Sequence, residues 1–170
     1  MSVVEQDLGT VRRTAGDTVE ITFVRRLPRP IEKVWAALTV PERIADWFAE
    51  VESLDLRLGG AIHLKFPEVD YEIRGVVTAL DPPRRLTWTW PQKDGTESTV
   101  TFELEPDGAG CQLTLIERGL SLSQGAGNAA GWHAHLDGLE GACDGVRTPW
   151  SKVVEREKVV NQTYKDRAPD

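Results

Sequence analysis

The sequence is short of the groups that most enzyme chemistry needs. It holds two cysteines, Cys111 and Cys143, and three histidines among 170 residues. Two thiols are too few for the disulfide framework of a small secreted domain, so both are expected to be reduced. No uninterrupted apolar stretch approaches the roughly 18 residues of a membrane span. The start places Glu5 and Asp7 ahead of any apolar run, unlike the basic-then-apolar pattern of a signal peptide, and a cytoplasmic protein is expected. Cations are also scarce. The 20 Lys and Arg stand against 27 Asp and Glu, a net charge of -7, which argues against a nucleic-acid partner because that affinity comes mainly from clustered cations. The imbalance is uneven: residues 1–145 carry 14 basic and 23 acidic side chains, whereas 146–170 carry 6 and 4. The basic tail is therefore expected to pack on the acidic body.

What the sequence does have is alternation. Val19, Ile21 and Phe23 alternate within Thr18 to Leu27, and Pro28 and Pro30 end the run, so a first strand is expected there. Pro30 and Pro41 each open a helical spacing, the first carrying Ile31, Val34, Trp35 and Leu38, the second Ile44, Trp47 and Phe48. Short strands follow: Leu54 to Leu58 before Gly59-Gly60, Ile62 to Phe66, Tyr71 to Leu80, Leu86 to Trp90, Val100 to Leu104, and Leu113 onward. Tight turns between them predict an antiparallel meander with one large apolar, aromatic face. Gly119 to Gly131 reads as a flexible connection. Trp132, His135, Leu136, Leu139 and Cys143 then share one side of an amphipathic helix, and Thr148-Pro149 opens another that carries Trp150, Val153, Val160 and Tyr164.

Acid–base and metal chemistry find little support in these residues. His133 and His135 lie two apart, about 200 degrees apart on a helix, and cannot ligate one ion from regular geometry; no metal and no cofactor are expected. His133 falls beside Asp137 and Glu140 and reads as exposed, whereas His135 lies at the edge of the apolar stripe. It is expected either to meet a ligand or to be satisfied by a backbone carbonyl. The run from Gly125 to Gly131 lacks the strand-then-helix setting of a dinucleotide loop. Six tryptophans exceed what a core of this size needs. Trp35, Trp88, Trp90 and Trp132 are expected around one enclosed space, with Phe48, Phe66 and Leu136 completing the wall. Strand parity turns His63, Lys65, Glu72 and Arg74 away from it, leaving Tyr71 as the remaining polar fixture. A ligand cavity of this kind typically exceeds roughly 300 Å³.

The string from Pro30 to Thr39, followed by Pro41-Glu42 and Trp47-Phe48, resembles the opening of the family homologous to the activator of the heat-shock-protein-90 ATPase. Leu58-Gly59-Gly60, Gly75-Val76-Val77, Pro82 to Leu86, Val100 to Leu104, and Gly131-Trp132 with Leu136 and Leu139 fall in that family's order. The resemblance implies membership of the START-related superfamily. It thus implies an α+β helix-grip fold, a curved antiparallel sheet wrapped around a C-terminal helix, with two short helices after the first strand. The chain is accordingly read as an N-terminal extension (1–17), the helix-grip domain (18–145) and a C-terminal helical extension (146–170) packed on the same domain. The expected function is to bind a hydrophobic small molecule, lipid or aromatic, in a cavity between sheet and helix. The alternatives are a co-chaperone with a chaperone partner and a cyclase-like cavity enzyme. With only 17 residues before the first expected strand, no ATPase stimulation is expected. A monomer or homodimer is expected.

Overall fold

A computed structural model describes residues 5–169. Strands β1 (Thr10–Arg13) and β2 (Thr18–Leu27) are followed by helices α1 (Ile31–Thr39) and α2 (Pro41–Trp47). The meander then runs β3 (Glu50–Leu54), β4 (Ala61–Phe66), β5 (Tyr71–Asp81), β6 (Arg85–Pro91), β7 (Glu97–Asp107) and β8 (Gly110–Ser121). Helices α3 (Gly125–Leu136), α4 (Leu139–Cys143) and α5 (Trp150–Arg167) complete the chain. All strand pairs are antiparallel, in the order β1-β2-β8-β7-β6-β5-β4-β3. This is a curved α+β helix-grip fold. No helix among the described residues is long and apolar enough to cross a membrane.

Three expectations need correction. The run Leu54 to Leu58 is not a strand. Pairing with β4 ends at Leu54, and the chain turns so tightly over 55–60 that a Cβ on Gly60 would lie 1.9 Å from the Asp55 carbonyl oxygen. The supposed flexible connection after Gly119 is mostly ordered structure. Gly119, at φ 91°, lies opposite the register shift between Val19 and Glu20, as a bulge glycine does. Helix α3 then begins at Gly125, whose missing Cβ would meet Val11 Cγ1 at 2.9 Å and Val19 Cγ2 at 3.0 Å. The small residues that suggested flexibility instead allow close approach of helix and sheet. Finally, the helix expected from Trp132 to Cys143 is two helices. A Cβ on Gly138 would fall 2.4 Å from Thr148 Oγ1, so the chain leading into α5 crosses where the helix breaks. A strand that the sequence reading did not include, β1, pairs with β2 ahead of Thr18.

The main core lies between the concave face of the sheet and α1 to α4, with Ile21, Phe23, Leu64, Leu86, Trp88, Phe102, Leu113 and Leu115 all nearly inaccessible to solvent. Helix α5 adds a further layer outside α3 and buries Val153, Val160 and Tyr164. The basic tail meets acidic partners: Arg156 Nε donates to Asp137 Oδ2 and Arg167 Nη2 to Glu5 Oε1.

Candidate functional site

The site grows from one aromatic hub. Helix α2 ends at Trp47, and the next residue, Phe48, projects its ring between the sheet and α3. It stacks on Trp132 of α3 at 4.9 Å between centroids and 10° between planes. It also meets Phe66 edge-on at 5.2 Å and His135 at 5.3 Å. Trp90 stands perpendicular to Trp132 at 6.0 Å and continues to Trp88 at 6.1 Å. Offset and edge-to-face geometries of this kind favour ring clusters beyond area burial alone.

The rings do not fill the space. Phe48, Phe66, Tyr71, Trp90, Trp132 and Trp150 wall a cavity of about 180 Å³. Asn128 and His135 supply polar atoms, Val69 lies at the rim, and Gly127 and Gly131 form the floor on α3. No Asp, Glu, Lys or Arg lines it. A smaller hollow of about 60 Å³ shares Phe48, Phe66, His135 and Trp150 and reaches the charged rim at Glu50, Lys65, Glu68 and Arg147. A larger one, about 320 Å³, lies at the far end between Arg26, Asp107 and Cys111. Arg26 and Asp107 already pair there, and burial pushes the Cys111 thiol up, away from the nucleophilic thiolate. The chemistry therefore favours the aromatic cavity.

The polar atoms around that cavity have fixed roles. Nδ1 of His135 lies 3.1 Å from the Trp47 carbonyl oxygen, which can only accept, so Nδ1 carries the proton and Nε2 is a bare acceptor. Burial pushes this imidazole down to about 4, against the raising effect of the carbonyl bond. It is neutral at physiological pH. The Tyr71 hydroxyl accepts from Trp90 Nε1 at 2.8 Å and keeps its own proton to donate.

Behind the wall lies a group that the sequence reading did not single out. Glu117 of β8 is fully buried. Its carboxyl receives Trp132 Nε1 at 2.8 Å, Asn128 Nδ2 at 3.1 Å and Ser98 Oγ at 2.8 Å. Burial raises its pKa, and the three donors only partly oppose this. A signal existed: Leu113 and Leu115 face inward, and Glu117 is next in the same phase.

Of the expected wall residues, Phe48, Phe66, Tyr71, Trp90, Trp132 and His135 line this cavity. Trp88 lies one layer deeper, beside a residual gap of about 10 Å³. Leu136 is buried at the end of α3 without lining the cavity. Trp35 lies apart on α1, half-buried against the core. His133 reverses its expected exposure. It is fully buried because α5 covers that side of α3, and its Nδ1 is hydrogen-bonded to the Tyr164 hydroxyl at 2.7 Å. His63 remains on the outer face with Glu72. No cluster of three or more potential metal ligands occurs among the described residues.

Known structures share this fold. CalU16 from Micromonospora echinospora is 28% identical, with a TM-score of 0.76 over 95% of this chain and 96% of its own. A protein encoded by gene BPP1335 of Bordetella parapertussis is also 28% identical, with a TM-score of 0.66 over 100% and 97%. DynU16, described as a protein in the dynemicin biosynthetic locus, is 25% identical with a TM-score of 0.65 over 76% of this chain and 48% of its own. A search of curated proteins gave no match. Residues 28–144, from the turn before α1 through α4, match the family described as Activator of Hsp90 ATPase homolog 1-like protein; the chain belongs to that family, and its fold is the helix-grip fold of the superfamily that the sequence motifs implied.

Proposed function

We propose that this protein binds a small apolar aromatic molecule between the sheet and α3. The observation that carries this reading is the aromatic-walled cavity of about 180 Å³ with no charged side chain in its lining. Aromatic rings around an open hollow of this kind leave contact with water when an apolar guest takes its place, which favours uptake. The volume sets the size of the guest. It lies below the roughly 300–1,000 Å³ of drug-sized sites but above the roughly 150 Å³ apolar cavity that takes up benzene. One or two fused rings fit; a long acyl chain would have to leave through the mouth. The place of DynU16 in a biosynthetic locus sets one structural relative in small-molecule chemistry, in keeping with this reading.

Tryptophan fluorescence titration with naphthalene, indole and a medium-chain fatty acid, together with native mass spectrometry, tests the proposal. Saturable quenching by the bicyclic aromatics with one equivalent bound is expected, and so is its loss in Gly131→Leu, which fills the floor. Absence of any binding below millimolar concentration would refute it. A parallel measurement of chaperone ATPase activity tests the alternative role that the family description names.

A further inference from the structure

Resting on that reading, we infer that the cavity selects neutral hydroxyaromatic ligands, held by a hydrogen bond from the ligand hydroxyl to Nε2 of His135. Two acceptors at the wall have no donor. One is Nε2 of His135, bare because Nδ1 serves the Trp47 carbonyl. The other is Oδ1 of Asn128. Its amide nitrogen is turned toward Glu117 Oε1, an oxygen that already accepts from Trp132 Nε1, so the buried carboxyl fixes which end of Asn128 is left over. Both atoms are open to solvent-sized contact, because the one enclosed side-chain nitrogen or oxygen without a partner among the described residues is Arg25 Nη2.

An open acceptor in an aromatic box becomes a buried, unsatisfied one when a hydrocarbon fills the box. Such a group costs its full desolvation, whereas a ligand O–H supplies the missing bond. The asymmetry therefore favours a phenol over the same ring system without its hydroxyl. Anionic ligands are disfavoured for a separate reason. No cation lines the chamber. Lys65 and Arg147 belong to the smaller neighbouring hollow, where they pair with Glu52 and Glu50, and Lys93 lies over the Tyr71 ring at 5.2 Å without lining the cavity. A donor at the wall, the Tyr71 hydroxyl, can serve a second oxygen on the ligand, so a dihydroxy or hydroxy-keto ring system satisfies more of the wall than a single phenol.

Glu117 is a positioning residue in this scheme. It touches no ligand and acts through Asn128 and Trp132.

The test uses naphthalene, 2-naphthol, 2-methoxynaphthalene and 2-naphthoate on the full chain by isothermal titration calorimetry. Naphthol should bind about ten-fold or more tightly than naphthalene or its methyl ether, and naphthoate should bind more weakly than naphthol. In His135→Phe the naphthol preference should vanish while naphthalene binding persists. Long-range ¹⁵N NMR of the histidine rings supplies a readout that does not depend on a variant folding. Nε2 of His135 should shift with naphthol and stay nearly still with naphthalene. Equal affinities of naphthol and naphthalene, or naphthoate binding as tightly as naphthol, would overturn the inference and leave the binding proposal standing. Failure of all four to bind would sink both.

Discussion

Helix α3 has two sides, and they solve opposite problems. His133 and His135, two residues apart, are both buried, and burial holds both imidazoles at about 4. On the α5 side, His133 is closed in by the Tyr164 hydroxyl, which also accepts from the Gly9 amide at 2.9 Å. Arg25, Arg156 and Asp137 surround it: Arg25 Nη1 and Arg156 Nε both donate to the Asp137 carboxylate. On the sheet side, His135 has one backbone partner and then open space. One face of the helix is sealed by a polar latch and the other is aromatic and incompletely filled. Burial alone therefore does not mark a functional histidine; the partner count of its two nitrogens does.

The largest effect should come from Trp132→Ala. This change deletes the ring stacked on Phe48 and leaves Glu117 without its indole donor. Large-to-small aromatic substitutions in cores cost about 3–5 kcal/mol. Chemical denaturation should show a loss in that range together with loss of aromatic-ligand binding. A loss under 1 kcal/mol would mean that this side contributes little to holding α3.

Acid should strain both sides at once. Each histidine has a folded-state pKa near 4 against an ordinary value of 6.5. Below 6.5 the unfolded chain binds protons that the native state refuses, so stability is intact above pH 6.5 and falls as pH drops toward 4. The shift corresponds to about 3 kcal/mol per histidine at most. Glu117 works the other way, since its raised pKa makes ionisation costly as pH rises above the usual carboxylate value. Unfolding free energies measured from pH 7.5 to 4.5 should decline with acid. In His133→Gln and in His135→Gln the slope should shrink by about one proton each, and an unchanged slope in either would show that histidine to be solvated.

Tyr164→Phe touches only the latch. It removes the partner of His133 Nδ1 and of the Gly9 amide, and unpaired buried polar groups cost about 1–3 kcal/mol. Thermal unfolding should drop accordingly while ligand affinity stays within two-fold. A large affinity change would mean that the two sides of α3 are coupled.

Most of the sheet is legible from alternation, because one face is buried and a slip would expose every inward side chain. The expectations of β2, β4, β5 and both early helices rest on that periodicity and on the prolines that bound them. Three features escaped it for physical reasons. Helix α3 is written in Gly and Ala, residues whose value lies in closeness to Val11 and Val19, which only the tertiary structure reveals. His133 is polar on a helix side that looks exposed until α5, a distant segment, covers it. Glu117 sits in an inward phase, where a carboxyl contradicts the hydrophobic pattern; such contradictions are where sites are to be sought. The aromatic wall residues could be nominated by parity, but Trp35 could not be separated from Trp90 without knowing which way α1 faces.

The smallest effect sharpens the comparison most, because its two readouts move in opposite directions. Gly127 and Gly131 both lie within α3 and line the cavity, and a Cβ on either meets nothing within 4 Å. Replacing a mid-helix glycine with alanine stabilises by roughly 0.5–1 kcal/mol. Gly131→Ala, in the middle of α3, should therefore raise stability while taking volume from the cavity and weakening the binding of bicyclic aromatics, and Gly127→Ala, in the first turn, should weaken binding with a smaller gain in stability. Gly125→Ala supplies the contrast on the same helix. Its new methyl would press on Val11 and Val19 at 2.9 and 3.0 Å, so it should destabilise and leave the cavity alone. If Gly131→Ala leaves the binding of bicyclic aromatics unchanged, the cavity is not where the ligand sits, since the new methyl group must touch a guest held there.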